Sequence, residues 1–440
     1  MTVAATTLTT YNSWLLDNYI HLSRGMEKMF NTTSYFMDEG LFGRELAKIS
    51  DGGNQFVFPI RTGRYTGWGS RGENVNLPDA RSATHTRATG TLRNIYMQGR
   101  ITGVALDRAR SSEHAFFESL EDLMVELPED FGKFFSQMCE RDGRGAIARI
   151  NEADPTTNTA LILDANGATG GDETYGTVHM HAGMEISYFG ASTGGATTTP
   201  QAALGTARNA DSIVSAIVSG TEATVAANPG AGVANNDYVA WRQNASAVPT
   251  DITGLNGHLN NFNFQVHGIN KSTNTFWQPS YITGAVGDAT AFSLDHFDTA
   301  IANMVIANGP KAYKGRLAAI TSSLMQNNIA REMKDLVQFE ADDFDLKWGF
   351  STLSYVRSGV RASIVADDDT LAGTIYYCDP STFKFHHGGS TAPKIIKDDN
   401  LVLRKVADVD AWEMTYGWRG VEMVCYNPRR NGVRKGYILT

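Results

Sequence analysis

Histidine and carboxylate positions are where chemistry would start in this sequence, and their spacing is thin. His179 and His181 flank Met180, so on a strand they would share one face, a spacing that can hold a metal when a third ligand stands near. No third ligand is marked close by in sequence, and a solvated strand face is the reading adopted. His386 and His387 precede Gly388 and Gly389 in what reads as a loop. The run Asp367, Asp368, Asp369 resembles a calcium loop but lacks its glycine and distal glutamate. Glu340, Asp342, Asp343 and Asp345 read as solvated surface. Cys139, Cys378 and Cys425 are widely separated and show no CxxC spacing, which points to reduced, buried thiols. No GxSxG, P-loop, GxGxxG or HExxH motif is present. Catalytic, cofactor-binding and metal-ligating residues are therefore assigned to none, and the expectation is a protein that is not an enzyme.

Arginine is the informative residue type. Arg61, Arg64, Arg71, Arg81, Arg87, Arg93, Arg100, Arg108 and Arg110 fall within one stretch, opposed only by Glu73, Asp79 and Asp107. The stretch is locally positive in a chain whose formal net charge is -9. One reading is contact with nucleic acid, with Tyr65, Trp68 and Tyr96 as the few interleaved aromatics. The other is a basic arm lying on an acidic neighbour, where guanidinium forks pair with carboxylates. The second is favoured, because phosphate-driven binding draws on a wider cationic surface than this chain carries.

These arginines sit between two strand-like runs, QFVFPI at 55–60 and RNIYMQGRITGVAL at 93–106, which flank a middle rich in Gly, Ser, Thr and Asn. The result is a two-stranded excursion with a polar tip, far longer than an ordinary hairpin loop. Such an arm has no core of its own and must lie on something else, most simply another copy. Residues 11–50 read as an irregular arm with short helices, its apolar stripe carried by Trp14, Leu15, Leu16, Tyr19 and Ile20.

Directly after the excursion, Phe116, Leu120, Leu123, Met124, Leu127, Phe131, Phe134, Phe135 and Met138 follow one another in steps of 1, 3 or 4. That spacing predicts one long amphipathic helix. Ser111 and Ser112 supply cap chemistry, Gly143 a stop, and Pro128 a kink or break. Residues 155–245, rich in Gly, Ala, Thr and Asn, predict a small antiparallel β module, with a solvated turn near Asn166–Gly171. Helices are predicted at 292–308, capped by Ser293, and at 322–337, followed by strands to the C-terminus. With 42% hydrophobic residues and 43 glycines against 12 prolines, the composition suits a chain with a sizeable core and many turns. No apolar run is long enough to span a membrane, and no basic-then-apolar leader is evident at the N-terminus.

The phrases GRITGVALDRARSSEHAFFESLEDLM and CERDGRGAI, together with the N-terminal arm, the long polar loop and the strands in LAGTIYYCDPSTFKF and DAWEMTYGWRGVEMVCYNPRRNGVRKGYI, resemble tailed-phage major capsid proteins of the Hong Kong 97 fold. The resemblance implies an α+β fold with residues 1–53 as N-terminal arm and 54–106 as extended loop. It further implies a peripheral-domain spine helix at 107–154, an inserted β module at 155–245, an axial domain at 246–370, and peripheral-domain strands at 371–440. It implies hexameric and pentameric capsomers that close into an icosahedral virion shell around double-stranded DNA, assembled in the host cytoplasm. Portal, scaffolding and decoration proteins are the implied partners, with no membrane and no sequence-specific DNA contact. The loop residues Arg61, Arg64, Trp68, Arg71, Arg81, Arg87 and Arg93 would then face a neighbouring subunit, and Phe116, Leu120, Leu123, Phe131 and Phe135 would form the core face of the spine. Some relatives crosslink through a loop lysine; this chain has no lysine between Lys48 and Lys133, so non-covalent assembly is expected. The competing readings are an encapsulin-type nanocompartment shell and a β-rich enzyme with an unrecognised site.

Overall fold

The computed structural model describes residues 42–46, 55–104, 113–151, 159–165, 176–190, 207–230, 232–241, 251–260, 265–271, 273–284, 290–313, 316–333, 353–397 and 402–437. The rest of the N-terminal arm, the caps Ser111 and Ser112, the turn Asn166–Gly171 and the acidic run at 340–345 lie outside the described residues.

The long helix, α1, spans Glu113–Glu140 and runs unbroken through Pro128, where a kink or break was expected. Proline removes one helical hydrogen bond and costs about 3 kcal/mol. Burial of Leu127, Phe131, Phe134, Phe135 and Met138 on the same helix offsets it. Gly143 and Gly145, both at positive φ, turn the chain out of the helix.

α1 lies against a six-stranded sheet whose long central strand, Ala411–Cys425, pairs with Arg93–Thr102 along one edge. Its other edge takes Phe383–His387, Lys394–Ile396 and Arg404–Lys405 in turn. Gly43–Leu46 adds in parallel to Phe383–His387, with Phe42 stacked on Phe383 at 4.9 Å, so this part of the arm is strand rather than short helix.

A second, mixed six-stranded sheet orders Tyr281–Thr283, Gly432–Arg434, Ile375–Cys378, Arg316–Thr321, Val360–Ala366 and Leu353–Arg357. One face packs on the helices α3 and α4, after the short α2 at Leu255–Leu259; α3 is Leu294–Asn308 and α4 is Ser323–Met333. The Ser293 hydroxyl caps α3 by accepting from the Asp295 N–H at 3.3 Å. The other face contributes Ile320, Tyr376, Cys378 and Val433 to a core shared with Phe131, Phe135, Trp418 and Met423. Strands from 371–440 divide between the two sheets, because alternate residues of a fully buried strand serve two different layers.

The β module is a closed six-stranded barrel of Tyr238–Trp241, Ala146–Ile150, Ala160–Ala165, Glu222–Val225, Ala207–Ile217 and Glu185–Phe189. It starts at Ala146, nine residues before the boundary expected at 155. The short run AIARI carries no turn residue to separate it from the helix region, and its role shows only in pairing, where it bridges Tyr238–Trp241 and Ala160–Ala165. The barrel fills itself with Ile147, Ile150, Leu161, Leu163, Ile186, Tyr188 and Val214.

Candidate assembly interface

The excursion is narrower than the sequence implied. Gln55–Arg61 pairs with His85–Thr91, not with the run at 93–106. That run belongs to the first sheet. The correction has a packing cause: Ala88 and Gly90 face Phe56 and Phe58, and a Cβ on Gly90 would stand 2.3 Å from the Phe56 ring. Only a small-residue strand fits there, whereas Ile95 and Met97 pack on the core beneath α1. Thr-rich HTRATGT forms the ladder through β-branched residues.

The base of the excursion is anchored. Phe56, Phe58, Ala88 and Leu92 form a cluster with Val266, Ile269, Trp277 and Val424. Phe56 stacks on His386 at 4.7 Å, Phe58 meets Tyr426 edge-on at 5.1 Å, and the Thr89 N–H donates to the His267 carbonyl at 2.9 Å. His267 is buried, and its pKa is lowered to about 3, first by burial and then by the nearby His386. It is a neutral ring in the wall of this cluster.

Beyond Gly63 and Thr84 the ladder stops, and residues 64–83 lie almost wholly exposed. Trp68 and Leu77 are each 84% exposed, Tyr65 63% and Val75 56%. Arg61, Arg64, Arg71, Arg81 and Arg87 are all exposed, and among the described residues none of them forms an ion pair with a carboxylate. Arg61 lies 5.3 Å from the Tyr65 ring centre and donates to the Gly63 carbonyl at 3.1 Å. The tip is thus apolar as well as basic, a feature the polar composition of the stretch conceals. Arg93 is the exception. It begins the first-sheet strand, half-buried near Glu422, and does not belong to the excursion.

On α1, Phe131 and Phe135 are fully buried, and Phe135 lies 5.4 Å from Trp418. The side chains of Phe116, Leu120 and Leu123 lie outside the described residues.

Those residues weighed for chemistry that are described sit as follows. His179 sits in a turn rather than a strand; it is buried while His181 is exposed, so the two do not share a face. Its Nε2 lies 2.8 Å from the Asp369 carbonyl, and Arg141 Nε donates to its Nδ1 at 3.4 Å. Burial, then the Arg141 charge, lowers its pKa to about 3. A neighbouring guanidinium opposes a metal there. His386 and His387 end a strand instead of lying in a loop, and both are buried. Asp367 and Asp369 are buried and only Asp368 is exposed. Asp369 pairs with Lys133 of α1 at 2.8 Å. No group of three candidate ligands is placed to hold a metal among the described residues.

What sequence reasoning missed is the polar junction at the end of α1. Arg141 reaches Asp251 at 3.5 Å, both buried, and Arg144 binds Asp142 at 2.7 Å. Glu140 is buried near Asp367 and Asp369, and burial followed by those two charges raises its pKa well above the ordinary range. The phrase CERDGRG held the signal, since four charges in a row of seven at a helix end are either solvated or paired. Here they join α1, the barrel through His179, and the turn after Val360–Ala366.

No protein-family profile and no curated protein matches this sequence. Among solved structures the chain is similar to the capsid asymmetric unit of cyanophage A-1(L), at 12% identity over 94% of this chain and 97% of that chain, TM-score 0.48. It is similar to the capsid of the native GTA particle, at 10% identity over 94% and 93%, TM-score 0.46. It is also similar to the capsid of Myoviridae phage XM1, at 8% identity over 95% and 97%, TM-score 0.37.

Proposed function

We propose that this chain is a structural major capsid protein of the Hong Kong 97 fold, assembling as hexamers and pentamers into the icosahedral head around the double-stranded DNA of a tailed phage. The observation that carries the reading is the excursion: anchored by a buried aromatic base, it holds Trp68, Val75 and Leu77 in solvent together with five arginines that form no ion pair among the described residues. Fully burying one large apolar side chain is worth about 1.5–3 kcal/mol, so a monomer leaves several kcal/mol of burial unused. A neighbouring subunit with exposed carboxylates recovers both the apolar and the charged contributions. On this reading Arg61, Arg64, Trp68, Arg71, Arg81 and Arg87 form the subunit contact, and the α1 face with Phe131 and Phe135 is the spine of the peripheral domain. The axial domain is the second sheet with α3 and α4, and the barrel is the inserted module. The protein works as a wall and not as an enzyme, in a virion shell built in the host cytoplasm, with portal, scaffolding and decoration proteins as partners.

Electron microscopy of the purified protein tests this directly. Closed shells of a size requiring hundreds of subunits are expected. Particles of only a few subunits would overturn the reading, and shells of a few tens of subunits that package protein would favour the encapsulin alternative.

A further inference from the structure

The end of α1 carries a buried group of oxygens that the chain leaves unsatisfied. Ser136, Glu140, Asp367, Asp369 and Thr370 are each 5% exposed or less. Among the described residues, both Glu140 Oε atoms, Asp367 Oδ2, Asp369 Oδ2, Ser136 Oγ and Thr370 Oγ1 complete no hydrogen bond. The two hydroxyls face the carboxyls, Ser136 beside Asp369 and Thr370 beside Glu140. Three elements meet here. α1 supplies Lys133, Ser136 and Glu140, and the turn after Val360–Ala366 supplies Asp367 to Thr370. The barrel reaches in with His179, whose Nε2 lies 2.8 Å from the Asp369 carbonyl.

The charges do not balance if every carboxyl is ionised. Lys133 meets Asp369 at 2.8 Å, Arg141 is engaged by Asp251 at 3.5 Å, and Arg144 by Asp142 at 2.7 Å. The other neighbours add no cation. Cys139 of α1 and Tyr376 and Cys378 of the second sheet face Glu140, and Glu422 of the first sheet faces Cys139 and Arg93. His179 is a neutral ring beside Arg141, while Asp130, His181 and Asp368 stand at the exposed rim. An ionised Glu140 would lie dry, without a donor, next to two acids. Burial and then those acids keep its proton on well above the ordinary range, and burial and then Asp369 push Asp367 up to about 6. A metal ion is the other way to satisfy such oxygens, but no three candidate ligands surround one point among the described residues.

We propose that this joint is a latch closed by protons: with Glu140 and Asp367 neutral, the turn at 367–370 lies on α1 and holds the barrel through His179, and loss of both protons frees the turn and loosens the barrel from the two-sheet body. The latch belongs to the single chain and goes beyond the capsid reading without resting on it. A carboxyl that keeps its proton in the closed joint stabilises that joint at acid pH and ceases to as pH rises through its closed-state value.

Hydrogen exchange of the full chain, read over 177–183 and 367–371 and corrected for intrinsic exchange, tests this. Each proton released on opening raises the opening equilibrium about tenfold per pH unit, so protection of both segments should fall together about a hundredfold or more between roughly pH 5 and 7. The strand Ala411–Cys425 should stay protected throughout. Glu140→Gln with Asp367→Asn keeps the neutral pair and should hold both segments closed with no dependence on pH, whereas Glu422→Gln should keep the wild-type slope. Wild-type protection that does not change with pH, or an unaltered slope in the double variant, would refute the latch. Should the double variant not fold, Lys133→Met decides: without the ammonium the joint should open at lower pH, and an unmoved midpoint sinks the idea. If excess calcium chloride restores protection at neutral pH, the oxygens hold a cation rather than protons and the proposal is wrong.

Discussion

The barrel at Ala146–Trp241 and the excursion at 55–91 are both β structure added to one two-sheet body, and they treat their apolar side chains in opposite ways. The barrel closes, leaves no open edge, and buries Leu161, Leu163, Tyr188 and Val214 in its own interior. The excursion has two strands and one buried end. Its far half shows Trp68 and Leu77 to water, because two strands enclose no volume. A self-satisfied element is dispensable to its neighbours, while an unsatisfied one makes sense only in company. On the capsid reading, the excursion drives assembly and the barrel rides on it.

The sharpest way to break this comparison is to remove the tip. The Thr62 N–H donates to the Thr84 carbonyl at 2.9 Å, so residues 64–83 can be replaced by a two-residue turn without moving the base. The shortened chain should fold with an unchanged melting temperature and form no closed shells by electron microscopy. Insertion of an epitope at the barrel turn Ser219–Thr221, where Ser219 is exposed, should leave assembly intact, and if the module lies on the outer surface of the shell the epitope is bound by antibody on intact particles. Normal shells from the deletion, or failed shells from the insertion, would reverse the assignment of roles.

A core substitution gives the next largest effect. Phe135→Ala leaves a cavity beside Trp418 and should cost about 3–5 kcal/mol, seen as a lower chemical-denaturation midpoint or insoluble protein. Leu163→Ala in the barrel should cost about 2–5 kcal/mol, but locally. Hydrogen exchange should quicken within 146–241 while the strand Ala411–Cys425 stays protected. Uniform loss of protection would show that barrel and body unfold as one unit.

Acid and base act on the junctions rather than the tip. Burial pushes Glu422 up to about 7, although Arg93 pulls the other way. The folded chain therefore keeps a proton that the unfolded chain releases near about 4.3. Stability from this group is complete below that value and is lost as pH rises through 7. Glu422→Gln keeps an acceptor for the Thr253 N–H, bonded at 2.9 Å, and should flatten the melting temperature between roughly pH 4.5 and 7 relative to wild type. His267 works in reverse: held at about 3, it contributes stability that is present above about 6.5 and is lost as pH falls toward 3. A wild-type curve identical to that of Glu422→Gln would mean the carboxyl is solvated.

The smallest effect is that of single tip charges. Arg71→Ala should leave the monomer's stability within about 0.5 kcal/mol of wild type, while weakening assembly at low salt and lowering its salt sensitivity measured by light scattering. Boiling particles in detergent without reductant should release one band near 47.9 kDa, because no loop lysine lies between Lys48 and Lys133 and the cysteines are buried. A ladder would reveal a covalent bond between copies.

By itself the sequence determined the elements whose signal is local. The spacing from Phe116 to Met138 is helical whatever surrounds it, and the described helix spans Glu113–Glu140. Ser293 caps α3 because a hydroxyl one residue before a helix always meets free N–H groups. The cluster of arginines with almost no lysine or acid marked the excursion as unusual. Tertiary structure alone decided the partners. Nothing local tells QFVFPIR to pair with HTRATGT rather than RNIYMQGRIT, since all three can be strands; the fit of Phe56 over Gly90 settles it. AIARI becomes a barrel strand only when Tyr238–Trp241 arrives from ninety residues away. The strands Ile375–Cys378 and Phe383–His387, adjacent in sequence, go to different sheets because each buries both faces and so carries no alternation to say which layer it joins. The polar junction at Glu140–Asp142 is likewise a product of packing: its charges look like surface until Asp251, His179 and Asp369 are folded over them.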